Sequence, residues 1–495
     1  MSRINTNVSS LLAQRSLGQT NQALNTSLER LSTGLRINRG ADDPAGLIAS
    51  ENLRSQTVSI TSAIDNAERA EQVVNIAEGG LQEVNNLLLE VQGLVGASAN
   101  EAGISDAERE ANQLEIDSIV QTIDRISSTT SFQGTQLLNG NFDFQTSGGD
   151  AANVSNLTVN SARLQFDGER DVNVQVTAAA ERAGAVLDLG AAAVDTDPGE
   201  SFTFDVAGTQ GSRQFTFGSG ATVDQIAEAV NTFTDVTGVT ASAAGNTVSL
   251  LSTGFGDDEF VEVDLTNLGG QTGNIAQLSG AVASTVDTQT LAAATGTVRD
   301  EGVDVTANIN GVQARTNGLT ASISTDFLDV EVNLTEAGGT TTGNRDAGTI
   351  TGGGANFNLG PNVDIGNQVS IGIGNVAARN LGSQEAGFLS SLASGAANNV
   401  IDGDLASAQE VVNEAISQVA GLRGRLGAFQ SNTVGSTIRS LGVALENTSA
   451  AESSIRDTDF AAETAALTRN QVLQQAATSS LSLANNAPQS VLGLL

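Results

Sequence analysis

The chain has 495 residues with no Cys, His, Trp, Tyr or Lys, and its 22 Arg against 56 acids give a formal charge of −34. Without His or Cys there is no zinc site of the usual kind, no thiol nucleophile and no imidazole base, while a carboxylate-only calcium site or glycosidase pair stays open. Residues 141–380 carry 29 acids against 8 Arg, net −21, which disfavours nucleic acid, because tracking a phosphate backbone needs a basic stripe.

From the N-terminus, Met1-Ser2-Arg3-Ile4-Asn5-Thr6-Asn7 lacks the apolar core of a secretory signal. The expectation is a cytoplasmic chain, or one exported by a route that reads something else. Leu17, Leu24, Leu28, Leu31 and Leu35 then recur at helical spacing. The polar run Asn38 to Gly46 reads as a hinge, with Asp42 and Asp43 capping a loop before Pro44 rather than holding a metal. A longer helix is predicted over 57–98. Its seam is Val74, Ala77, Leu81, Val84, Leu88, Val91 and Val95, extended upstream by Ile60, Ile64 and Ala67 with one phase slip. Ser105 and Glu108 form a capping box for a third helix over 106–128, whose seam is Ile116, Ile119, Ile123 and Ile126.

The middle changes character. Strands are predicted at Asn156–Val159 and Val172–Val176. A hairpin follows at Phe202–Val206 and Phe215–Phe217, then a short helix capped by Thr222, then strands at Val239–Ala243 and Val248–Leu251. Asn310-Gly311 and Asn317-Gly318 signal two-residue hairpin turns between Val303 and Leu334. Gly352-Gly353-Gly354 reads as a turn and not a phosphate loop, since no GK[ST] follows it. A returning strand is predicted at Val369–Ile373.

The C-terminal helix is the most regular. Leu405, Ala408, Val412, Ala415, Val419, Leu422, Leu426 and Phe429 follow strict 3,4 spacing behind an Asp404 cap, and the pattern resumes at Ile438, Leu441 and Leu445. A second hinge is expected around Thr448-Ser449-Ala450. The last amphipathic stretch carries Phe460, Leu467, Leu473, Ala477, Leu481 and Ala484. Each terminal stretch has too little apolar surface to be stable alone, so the two are expected to pair. The fold class is therefore α+β multidomain: an antiparallel coiled coil and helix bundle formed by both termini, with a β-rich inserted outer region. No 18-residue apolar run exists to span a membrane.

The ends carry a resemblance. Ile4-Asn5-Thr6-Asn7, Leu28 to Asn38 and Asp42-Asp43-Pro44-Ala45-Gly46 resemble the N-terminal signature of bacterial flagellins. Ile455 to Ala461, Gln474-Gln475-Ala476 and Pro488 to Leu495 are similar to the C-terminal one. The resemblance covers about 140 residues at the start and 115 at the end. It implies a non-enzymatic, cofactor-free structural subunit, exported through a type III channel and polymerised into the extracellular filament for swimming. It also implies terminal segments that order on assembly, with hook-associated proteins, cap proteins and a flagellar export chaperone as partners beside other copies of the chain. A hook–filament junction protein is the alternative, and a ligand-binding or enzymatic role for residues 177–369 is a further one. The domains expected are 1–43 with 456–495, lining the filament core; 44–176 with 370–455, the bundle; and 177–369, the outer region. The assembly seam of the arms is then Leu17, Leu24, Leu28, Leu31, Leu35, Phe460, Leu467, Leu473 and Leu481. That of the bundle is Leu81, Val84, Leu88, Val91, Val412, Val419, Leu422 and Leu426. In many flagellins a Toll-like receptor reads the second helix. Leu88 and Leu94 match that patch, with Glu90 at its basic position and Gln92 and Gly93 following.

Overall fold

The computed structural model describes residues 6–100, 103–164, 168–279, 284–293, 297–384 and 386–492. Ile4 and Asn5 of the N-terminal signature, and the side chains of Pro488 to Leu495 in the C-terminal one, lie outside the described residues. The helices are α1 (Val8–Thr33), α2 (Pro44–Ser98), α3 (Asp106–Thr129), α4 (Val223–Asn231), α5 (Thr234–Thr237), α6 (Glu336–Gly339), α7 (Leu405–Ala428), α8 (Gly435–Arg456) and α9 (Phe460–Leu492). The chain forms two compact units, Met1–Asn75 with Phe357–Gln368 and Arg425–Leu495, and Ile76–Asn356 with Val369–Gly424.

In the first unit α1 and α9 run antiparallel. Asn7 starts α1 by accepting the Ser10 N–H, and Gly34, at φ +74°, ends it. Asp459 caps α9 by accepting the N–H groups of Ala461 and Ala462. Between α1 and α9, the Asn7 side chain donates to Ala484 O at 2.8 Å, Gln474 to Asn21 at 2.8 Å and Asn470 to Ser27 at 3.3 Å. The roots of the two arms are clipped together. Leu35 bridges Asp457, the Arg36 N–H donates to Arg456 O, and the Thr458 N–H donates to Gly34 O. Asp43 caps α2 through the Gly46 N–H, behind the helix-starting Pro44. The second hinge lies later than expected. Thr448, Ser449 and Ala450 are inside α8, and the helix stops at Asp457, where backbone bonds to residues 34–36 replace the helical ones.

The buried face of α2 steps through Ile60, Ala63, Ala67, Ala70, Val74, Ala77, Leu81, Val84, Leu88, Val91 and Val95. That is an unbroken 3,4 repeat, so the expected phase slip is absent. Ala63 takes the seam position, 1% exposed, and Ile64 is only half-buried. Phe429–Val434 is a π-helical turn joining α7 to α8.

In the second unit the part of α2 after Asn75 lies antiparallel to α7, linked by Gln92 to Asn413 at 2.7 Å and by Arg423 to Glu78 at 2.9 Å. The capping box of α3 is formed by Ser105 and Glu108, and Asp404 caps α7 through Ala406 and Ser407. Asn112 of α3 donates to Ser98 at the end of α2. Along α3 the seam is Gln113, Ile116, Ile119, Val120, Ile123 and Ser127, with Ile126 half-buried.

The same unit holds two β cores. The first is shared by two sheets, one with the strand order Val312–Gln313, Thr306–Ile309, Arg170–Ala178, Gly343–Gly353, Phe144–Ser147. The other runs Arg315–Asn317, Thr320–Ser324, Leu328–Leu334, Val154–Ala162. The expected division between residues 176 and 177 therefore falls inside Arg170–Ala178. Val172, Val174 and Val176 of that strand share a core with Val305, Ile309, Val330 and Ile350, so strand partners more than a hundred residues away set the limit. The Gly run is likewise not a simple turn. Gly352 and Gly353 extend a strand and pair with Gln145 and Phe144 past a bulge. At Gly353 an added Cβ would lie 2.2 Å from Asp143 O, so only glycine fits. Asn310 and Gly311, at φ +49° and +83°, make the expected hairpin turn. The next turn is Gly318-Leu319, because Asn317 itself pairs with Thr320.

The second core lies in the inserted stretch between Ala183 and Leu291 and has the predicted hairpin–helix–hairpin. Thr222 and Gln225 form a capping box for α4. The buried Phe202 and Phe204 rings sit 5.3 Å apart, and Phe204 lies 5.9 Å from both Phe215 and Phe217. The insertion joins the first core through a two-chain neck, where Glu181 and Val303 exchange backbone hydrogen bonds.

Candidate assembly surfaces

The α1–α9 contact line mixes leucines with small and polar side chains. Ser10 and Ser27 are buried on it, Ala13, Leu17, Asn21, Leu24 and Leu31 are half-buried, and opposite them lie Asn470, Gln474, Ala477, Leu481 and Ala484, also half-buried. Amide and hydroxyl pairs of this kind give little net stability in contact with water, because the groups lose equivalent bonds to water in forming them. The apolar bulk points elsewhere. Val8, Leu11, Leu12 and Leu28 of α1 are 47–63% exposed, and Phe460, Val472, Leu473 and Leu483 of α9 are 48–74% exposed.

The predicted arm residues thus divide. Leu17, Leu24, Leu31, Leu35, Leu467 and Leu481 are half-buried within the unit. Leu28, Leu473 and Phe460 are exposed and do not belong to the intramolecular seam. Sequence reading missed Val8, Leu11, Leu12, Val472 and Leu483. Their signal is weak: Val8, Leu11 and Leu12 cluster at the start of α1 without a continuing repeat, and Val472 and Leu483 lie off the predicted register of α9, so a single-register search passes over them. Further apolar side chains are exposed elsewhere in the first unit, including Ile48 and Val58 of α2 and Val443 of α8.

The bundle residues behave differently. Leu81, Val84, Leu88, Val91, Val412, Val419 and Leu426 are fully buried and Leu422 nearly so. Leu88 faces the seam, while Glu90 is exposed and Leu94 half-buried, so the three receptor-patch positions do not share one open surface. Gln113, missed by sequence reading, is a buried amide in the α3 seam. It donates to Leu392 O at 2.8 Å and to Asp117, and it accepts the Val400 N–H at 2.8 Å. A polar residue one turn before Ile116 in an apolar stripe was the available sign.

Several carboxylates are held by defined partners. Asp42 lies below its ordinary range because the Arg39 and Asn38 N–H groups donate to it. The Ser105 N–H and hydroxyl lower Glu108, and the Ser407 hydroxyl followed by the Ala406 N–H lowers Asp404. For Asp117 burial pushes upward, and hydrogen bonds from Ser394 and Gln113 outweigh it, leaving a net lowering. Asp300 is raised, chiefly by burial, despite the Gly184 N–H it accepts. Among the described residues no group of three or more acidic side chains is placed to hold a metal, and no helix is long and apolar enough to cross a membrane. A shallow recess at the root of the arms is lined by Leu35, Arg54, Ser449, Glu452, Ser453, Arg456 and Asp457, where the Ser453 hydroxyl donates to Asp457 one helical turn on.

Comparison with known proteins accords with this arrangement. The family described as the bacterial flagellin N-terminal helical region matches residues 4–143, and the bacterial flagellin C-terminal helical region matches residues 409–495. The chain is 33% identical to the B-type flagellin of Pseudomonas aeruginosa, over 99% of each chain. It is 30% identical to a flagellin of Salmonella typhimurium and to flagellin B of Vibrio cholerae, again over 99% of each. These full-length relatives favour a filament subunit over a hook–filament junction protein. The chain belongs to the bacterial flagellins, which are not enzymes but structural proteins of the extracellular flagellar filament.

Proposed function

We propose that this filament subunit polymerises by burying the exposed apolar side chains of α1 and α9 against other copies. The observation that carries the reading is the exposed apolar surface of the terminal pair: Val8, Leu11, Leu12, Leu28, Phe460, Val472, Leu473 and Leu483 lie open, while a line of leucines broken by amides and serines, only half-buried, joins the helices. A pair built this way gains little from its own contact and much from neighbours, so it is stable chiefly in the polymer. The residues up to 43 and from 456 onward would line the filament core. The fully buried seam of α2 and α7 would hold each subunit rigid, and the β-rich middle, residues 141–380, which carries −21 of the net charge of −34, would face outward. Export through a narrow channel suits arms that fold late, and a chaperone, hook-associated proteins and a cap are the partners such a route implies.

The test is a chain ending at residue 455, which lacks α9. It should fail to form filaments by electron microscopy while its β cores still melt cooperatively by circular dichroism. Filaments from the truncated chain would sink the mechanism. Receptor recognition through Leu88, Glu90 and Leu94 is disfavoured on this reading, since Leu88 is committed to the seam and Glu90 carries the opposite charge.

A further inference from the structure

We propose that the π-helical turn Phe429–Val434 is a compliance point, a movable register defect that lets the helix beyond it shift along α2 when the polymer is loaded. The proposal rests on the filament reading above and adds a mechanical role that the terminal arms do not supply.

The helix does not break at the turn. Ala428, Val434 and Gly435 keep right-handed helical dihedrals, and the Gly435 N–H donates to Gln430 O, five residues back instead of four. One extra residue is therefore held within a continuous helix. The burial pattern records it: up to Phe429 the buried positions step by three and four, and then Val434 follows after five. An α-helix would turn Val434 away from the seam, and the wider turn brings it back.

Three observations make this turn movable and not merely tolerated. From Phe429 to Thr437 the sequence is Phe-Gln-Ser-Asn-Thr-Val-Gly-Ser-Thr. Apart from Gln430 these are weak helix formers, so little is lost when one helical hydrogen bond is exchanged for another. The surplus falls on the solvent side, where Ser431 and Asn432 are exposed. A spare donor is also present: the Ser436 hydroxyl donates to Asn432 O and lies 3.2 Å from Thr433 O. It can satisfy either carbonyl while the backbone N–H groups change partners. On the inner side the turn is steadied by bonds that can slide. The Gln430 amide spans Glu71 and Asn75 of α2, at 3.3 and 3.0 Å, one helical turn apart. Phe429 meets the Phe357 ring at 6.0 Å between centroids.

The test uses the full-length chain and a full-length variant lacking Ser431, which leaves Phe429 and Val434 four residues apart and returns the ladder to α. Amide hydrogen exchange and filament persistence length by electron microscopy are measured on both. In the parent chain, amides of 429–436 should exchange roughly tenfold faster than those in the flanking turns. The deletion should abolish that difference and lengthen the persistence length. Uniform exchange in the parent, or an unchanged persistence length once exchange has become uniform, overturns the proposal. If the deletion variant does not fold, Ser436→Ala decides: without the spare donor the partner exchange is hindered, so exchange at 429–436 should fall and persistence length should rise, and no change in either, or a change of opposite sign, also overturns it. Failure of the parent chain to polymerise would count against the assembly reading, while exchange in its soluble form would still decide whether the turn is mobile.

Discussion

Leu483→Ala isolates the polymer-forming role of the terminal arms. Leu483 is 74% exposed on α9, so the unassembled subunit makes little use of it. Alanine is at least as good a helix former, and the soluble chain should keep its circular dichroism and melting temperature. Burying a whole leucine is worth about 1.5–3 kcal/mol, so covering the exposed fraction in a filament contributes about 1–2 kcal/mol per subunit. With about 1.4 kcal/mol per factor of ten, the critical concentration for polymerisation should rise roughly 5- to 30-fold. Sedimentation of seeded protein over a concentration series measures it directly. An unchanged critical concentration with an intact soluble subunit would mean that Leu483 stays exposed in the filament, and the exposed apolar side chains of the arms would lose their assigned role.

Three other outcomes follow from the geometry. Phe204→Ala, at a fully buried ring touching three others, should cost about 3–5 kcal/mol. Calorimetry should show it as a lowered melting step for the inserted β core, with filament formation retained. Gln113→Ala leaves Leu392 O and the Val400 N–H without their partner and should destabilise the bundle by about 2–4 kcal/mol. Faster amide exchange around Val400 would locate the loss, and an unaltered exchange rate there would contradict it. Lowered carboxylates bind their protons later in the folded chain than in the unfolded one. The stability they contribute is therefore present above the ordinary carboxylate pKa and lost as pH falls through their folded values. Acid unfolding below about pH 4 should be less steep in Asp117→Asn. For Asp300 the sign reverses: its contribution is present at low pH and lost as pH rises through its raised folded value, so Asp300→Asn should gain stability at neutral pH and not at pH 3.

Much of the fold was written locally. The capping boxes at Ser105–Glu108 and Thr222–Gln225, the Asp404 cap and the Asn310-Gly311 turn each involve residues within four positions of one another. The heptad steps through Leu81 and Leu88, and from Val412 to Leu426, follow from backbone pitch alone. These features need no distant partner, and a single sequence displays them. The assembly surface was only half legible. Spacing could place Leu17, Leu28, Leu467 and Leu473 on amphipathic helices, yet it could not say which of them face α1 or α9 and which face outward.

By itself the sequence determined the helical ends, their caps, the alternation of the middle and the absence of imidazole and thiol chemistry. All of these depend on residue type and on neighbours along the chain. Only the tertiary structure decided that Ala63 and not Ile64 takes the seam, that Arg170–Ala178 pairs with strands near residues 306 and 343, that Gln113 belongs to a buried network, and that one extra residue between Phe429 and Val434 is absorbed as a π turn. For the strand pairing and the Gln113 network the deciding atoms come from segments more than a hundred residues away. Periodicity records which side chains share a face, and packing determines what that face meets.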